Sequence, residues 1–214
     1  MFYFYLVLLL LIFVLLFRGI NLSINFAPAK IKLLSIFALS LLTIRYIAVF
    51  IFLMSNNIKY LYLLKFVVFL NSLCIPILAM ISLYILARID KLKLKYIIIL
   101  SSLILLVYIF AVFTFKTNIE LYRDLGYKMY FINNNLLDAI FLILNTAFFF
   151  SSIILLSYRI TNKLGIRLTL ASSFVVMLEI ILKNIGISIL PYFLIGDVFW
   201  IITTNYSLNK LKKS

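Results

Sequence analysis

The chain has 214 residues, 66% of them hydrophobic and 12% charged, with a mean hydropathy of +1.23; soluble domains average about 45–50% apolar and about 25% charged, and one of this size could not keep so much apolar surface from water. The composition is that of an integral membrane protein. Its net charge of +14, from 20 Lys and Arg against 6 Asp and Glu, is therefore a question of membrane topology before it is one of nucleic acid.

Helices that cross a hydrocarbon core of about 30 Å need about 20 apolar residues. Taken in chain order, the apolar runs predict seven spans, near residues 2–17, 31–54, 60–87, 96–115, 136–158, 168–184 and 187–208. The first ends at Arg18, and the third is long enough to tilt. The last two come from one stretch that Asn184, Ile185 and Gly186 divide, because Asn and Gly favour chain reversal. The expected fold is all-α: a polytopic, seven-helix transmembrane bundle forming one integral membrane domain. The first positive side chain follows the first apolar run, the charge order of an uncleaved helix and not of a signal peptide.

The basic residues sort by loop. Arg18, Lys30, Lys32, Arg88, Lys91, Lys93, Lys95, Arg159, Lys163, Arg167, Lys210, Lys212 and Lys213 fall on one face of the expected membrane. Lys59, Lys116, Arg123 and Lys128 fall on the other, beside Glu120 and Asp124. This asymmetry predicts an outside N-terminus and an inside C-terminus. It also assigns the inner charge to anionic lipids rather than to nucleic acid.

Three basic residues, Arg45, Lys65 and Lys183, remain inside or at the edge of spans. A charge within a bilayer costs about 2.5–3.5 kcal/mol on insertion scales and faces the bundle interior. Arg45, Glu179 and Asp197 fall in the central-to-outer part of the bilayer, at depths of roughly 15–20 Å from the nearest charged or turn residue. Arg45 is expected to pair with Glu179 or Asp197. Residues seven apart share a helix stripe, which aligns Asp138, Asn145 and Ser152, and also Ser172 with Glu179. Lys183 lies four residues after Glu179, within reach of a pair along the same helix. The candidate ligand-binding or buried-charge residues are therefore Arg45, Glu179, Asp197, Asp138, Asn145 and Lys183. Pro76 and Pro191 each remove a helical hydrogen bond and are expected as breaks inside the third and seventh spans.

The chain has no His and a single cysteine, Cys74. Histidine-dependent catalysis, Cys/His zinc sites and intrachain disulfides are thereby excluded. The seventh span has no lysine for a retinal Schiff base. Leu194, Ile195, Gly196 and Asp197 depart from the Gly-x-Gly-Asp pattern of intramembrane aspartyl proteases. No catalytic residue, metal or cofactor is expected. The best functional reading is a non-enzymatic sensor or receptor-like module that binds a small ligand in the outer half of the bundle. The alternatives are a small-solute transporter, or its substrate-binding subunit, and a structural scaffold. A protein partner or a homo-oligomer is compatible with each, and the residue usage points to a bacterial plasma membrane. Cysteines placed at Lys59 and Lys91 should label from opposite sides of the membrane; labelling from the same side would overturn the seven-span topology.

Overall fold

The computed structural model describes residues 2–55, 57–87, 94–122, 125–132, 135–159, 161–187 and 190–212. Of the residues sorted by loop above, Arg88, Lys91, Lys93, Arg123, Asp124 and Lys213 lie outside them. Among the described residues the regular structure is helical apart from one hairpin. Its elements are α1 (Phe2–Phe26), α2 (Ala29–Met54), α3 (Ile58–Leu61), a 3₁₀ turn (Tyr62–Leu64), α4 (Lys65–Val68), α5 (Asn71–Ala87) and α6 (Leu94–Thr114). Strands β1 (Thr117–Leu121) and β2 (Tyr127–Phe131) follow, then α7 (Asn135–Ser157), α8 (Lys163–Asn184) and α9 (Leu194–Leu211). Among the described residues, six helical stretches are long and apolar enough to cross a membrane: Phe2–Phe26, Ala29–Met54, Ile58–Ala87, Leu94–Thr114, Leu137–Ser157 and Lys163–Asn184. The protein is a multi-pass helical membrane bundle.

Two helices form its interior. α5 and α9 pack against each other, and α9 also packs along α1 and α8. Most residues of both are buried. α9 carries Asp197, Thr203, Thr204, Asn205 and Ser207 among its buried side chains. It is too polar to count among the six apolar stretches for the same reason that it sits inside: in a bilayer, neighbouring helices and not lipid must satisfy polar side chains. α6 is the opposite case. It packs mainly on α5, and only Ser101, Ile104, Ala111 and Val112 of its 21 residues are buried.

Several boundaries differ from the sequence reading. α1 continues past Arg18 to Phe26. A charge ended the apolar run, but Arg18 lies on the exposed face, where it interrupts no backbone hydrogen bond. The third span is interrupted at Phe69 and Leu70. There Ser72 donates to the Phe69 carbonyl and Leu73 to the Leu70 carbonyl, both at 3.1 Å, tightening the chain by one residue per turn. Pro76 does lie inside a helix, in the second turn of α5. Pro191 does not. It belongs to a non-helical segment of the described chain between α8 and α9, so the last helix starts at Leu194 and not at Ile187. Proline disfavours helical backbone in the residue before it, here Leu190, so a helix can start only after it. The loop at 116–135 holds the antiparallel β1–β2 hairpin, with Ile119 opposite Met129. These two side chains pack with Ala48, Phe52, Leu61 and Val68, seating the hairpin on α2 and the α3–α4 stretch.

Two glycines fix the turns at this end of the bundle. Gly186 ends α8 at φ +89°. Its N–H donates to Lys183, and the N–H of Ile187 donates to Leu182, the paired bonds of a left-handed helix stop. Gly126 closes the hairpin at φ +80°, and a Cβ there would lie 2.7 Å from both the Leu53 Cα and the Phe52 carbonyl oxygen. A Cβ on Gly186 would meet nothing within 4 Å. Gly186→Ala should therefore lose only the backbone term, about 1–2 kcal/mol. Gly126→Ala should lose roughly 1–3 kcal/mol more, because the hairpin must lift from α2. Unfolding midpoints in detergent would compare the two, and equal losses would argue against this tight seat.

Candidate functional site

Arg45 lies in the middle of α2 and is 1% exposed. Its Nη1 donates to Asp197 Oδ2 of α9 at 2.7 Å. Its Nε donates to the Val68 carbonyl at 3.1 Å. In an unbroken helix the Val68 carbonyl would accept from Ser72, whose N–H has turned to Phe69 instead. The interruption between α4 and α5 thus releases an acceptor, and Arg45 takes it. Tyr46, the next residue of α2, donates its hydroxyl to the same Asp197 oxygen at 2.6 Å. The Arg45 guanidinium carbon lies 4.7 Å from the Tyr46 ring centre and 5.9 Å from that of Tyr192. Asp197 Oδ1 is buried and has no hydrogen-bond partner among the described residues.

Of the two carboxylates expected near Arg45, Asp197 is the partner. Glu179 takes a different role. From α8 it accepts the N–H groups of Ile195 at 3.2 Å and Gly196 at 2.8 Å. These are orphan donors in the first turn of α9, where the helix dipole also favours negative charge. The residue before α9, Phe193, has no side-chain acceptor for them, so a neighbouring helix supplies one. Gly196 allows this approach, since a Cβ there would fall 2.6 Å from Glu179 Oε2.

Lys183 does not pair with Glu179 along α8. Its Nζ reaches Asp138 Oδ2 of α7 at 2.5 Å and lies 5.2 Å from the Phe193 ring centre. The polar stripe of α7 is distributed among partners. Asp138 takes Lys183, the Asn145 carbonyl accepts from Trp200 Nε1 at 3.2 Å, and Ser152 meets Thr169 at 2.8 Å. Ser172 of α8 bonds Thr203 of α9 at 2.7 Å. Each contact ties α7 to α8 or either of them to α9.

A cavity of about 220 Å³ lies between these groups. Arg45 and Ser72 form part of its wall, with Glu179, Asp138 and Lys183 on the α7–α8 side. Hairpin residues Lys128 to Phe131 and the segment carrying Pro191 and Tyr192 also line it. The Met129 N–H donates to the Tyr192 hydroxyl at 3.3 Å, joining hairpin to segment. Burial, with the Lys183 charge nearby, holds the Lys128 ammonium below the usual lysine range, an effect that Glu120 and Asp138 partly offset. Sequence reasoning missed Tyr46, Tyr192, Trp200 and Lys128 as members of this site. Tyr46 carried one signal, its position next to a charge at mid-membrane depth. Lys128 carried none, because a lysine in an outer loop reads as solvated.

No family model, curated protein or solved structure matches the chain.

Removing one member of a buried ion pair leaves the other uncompensated, at about 3–5 kcal/mol. Arg45→Met and Asp197→Leu should each destabilise the bundle by that order, and the double variant should lose less than the two single losses together. Unfolding in detergent with increasing SDS would measure the cycle; additive losses would mean that the pair is not coupled.

Proposed function

We propose that the chain is a non-enzymatic, seven-helix, receptor-like membrane protein that binds a small ligand in the cavity beneath the β1–β2 hairpin. The observation that carries this reading is the cavity itself, apolar in most of its wall and set with a few charged groups, all but Lys128 bonded to fixed partners, the composition expected of a small-molecule site. α9 is taken as the seventh crossing. Its 18 residues rise about 27 Å, close to the hydrocarbon thickness, and the non-helical segment before it makes up the rest. The charge asymmetry supports an outside N-terminus, which puts hairpin and cavity at the outer end. It also puts the basic inner face, including Lys210 and Lys212, against anionic lipids or a protein partner, in a bacterial plasma membrane.

Arg45 couples the cavity to the rest of the bundle in this proposal. It lines the cavity and bonds α9, so a ligand that alters its environment favours a different seating of α9, whose far end lies at the inner face. Transport of a small solute is the second reading. It is favoured by the two interruptions, at Phe69–Leu70 and around Pro191, that flank the same cavity, since interrupted helices line the substrate sites of many transporters.

Leu182 lines the cavity from α8 and is half-buried, so Leu182→Trp should fill the cavity without overpacking the interior. Small amphipathic compounds that raise the unfolding midpoint of the wild-type protein should lose that effect in the variant. The receptor reading expects such binders not to cross proteoliposomes that contain the protein; flux of a binder would favour transport. If no compound distinguishes wild type from variant, the cavity is not a ligand site.

A further inference from the structure

We infer that the ligand of this cavity is a small amphiphilic anion, with a carboxylate or phosphate head at Lys128 and Lys183 and a short apolar tail among the aromatic side chains below. The inference rests on the cavity reading above and adds the chemistry of the occupant.

The charges on the cavity wall support it. The Glu179 carboxylate is satisfied by two backbone N–H groups of α9. Asp138 is paired with Lys183, and Arg45 with Asp197. Lys128 has no carboxylate at ion-pair distance among the described residues. Glu120, its cross-strand neighbour, accepts the Tyr130 hydroxyl. The Lys128 Nζ lies 5.0 Å from the Tyr122 ring centre. Lys128 and Lys183 both line the cavity, and the Lys183 charge adds to burial in holding the Lys128 ammonium low. An anion between them offsets that effect and supplies the charge-assisted bonds that Lys128 lacks. A cation there would meet the Lys128 ammonium, which lacks a carboxylate partner among the described residues, and a neutral head would leave it without one.

The rest of the wall selects the tail. Phe69 and Phe131 stack with ring centres 3.8 Å apart, and Phe141 and Phe193 stack at 6.4 Å. All four line the cavity. They favour an apolar or aromatic body attached to the charged head. At about 220 Å³ the space suits a small molecule or the end of a lipid headgroup, and these share the same head chemistry.

Three matched probes test the inference: 4-phenylbutyrate, 4-phenylbutanol and 4-phenylbutylamine, titrated calorimetrically into the full chain in phosphatidylcholine nanodiscs. The carboxylate should bind at least about tenfold more tightly than the other two, as expected of a charge-assisted bond in a partly buried site. Lys128→Gln should remove that preference and Lys128→Arg should restore it. Parallel discs containing phosphatidylglycerol separate the sources. Competition with 4-phenylbutyrate identifies a lipid headgroup as the occupant, and unchanged affinity identifies a soluble anion; both support an anionic ligand. If the alcohol or amine binds as well as the carboxylate, and Leu182→Trp blocks it, the anion inference is overturned and the cavity reading stands. If no probe binds, or Leu182→Trp changes nothing, both fall.

Discussion

Everything near the centre of this bundle is arranged around one guanidinium. Arg45 is placed where a charge is costly, and its bonds answer needs elsewhere in the fold. Asp197 requires a counter-charge, and the Val68 carbonyl, released where α4 gives way to α5, requires a donor. An unmet acceptor at that depth would cost several kcal/mol. The interruption of the third span and the arginine in the second are therefore mutually dependent. Straightening the helix would return Val68 to Ser72 and leave part of Arg45 unmatched. Tyr46 completes the group by sharing the Asp197 oxygen.

The two interior carboxylates of this region are accommodated in different ways. Asp197 lies against a positive side chain. Glu179 lies against a positive helix end and keeps no lysine or arginine in ion-pair contact among the described residues. Both arrangements hold the first turn of α9, Asp197 against α2 and Glu179 against α8. A helix that begins inside the bundle needs such support, since its first N–H groups have no partner within the helix. The same requirement accounts for the close approach at Gly196, where a side chain would displace the Glu179 carboxylate.

Much of this architecture was legible in the residues. Apolar run lengths located the long helices, and depth counting brought Arg45 and Asp197 to similar levels. The seven-residue stripe of Asp138, Asn145 and Ser152 corresponds to three contacts along α7. What escaped detection has definable causes. Arg18 seemed to end α1 because hydropathy measures lipid exposure and not helix continuity. Pro191 was read inside a span because an apolar segment that is buried in protein and an apolar helix have the same composition. The hairpin at 117–131 was hidden because its alternation is confined to two short strands. Lys128 could be assigned to the cavity only once the hairpin was folded back over the bundle, and the role of Val68 is a main-chain one that no side-chain pattern encodes.

The interior position of α9 has a consequence for synthesis. The partners Arg45 and Asp197 are separated by 152 residues. At about 5–20 residues per second, Asp197 is made some 8–30 s after Arg45. Throughout that interval the second span holds an arginine without its carboxylate, and the slot between α1, α5 and α8 has no helix in it. The earlier helices must therefore wait in the membrane as a loose, rearrangeable set, with Arg45 drawn toward water or a lipid phosphate. The bundle closes when α9, made after every other helix described, slides into place. Assembly of this protein is thus gated by α9, and a ribosome stalled shortly before Asp197 would leave a product that cannot lock.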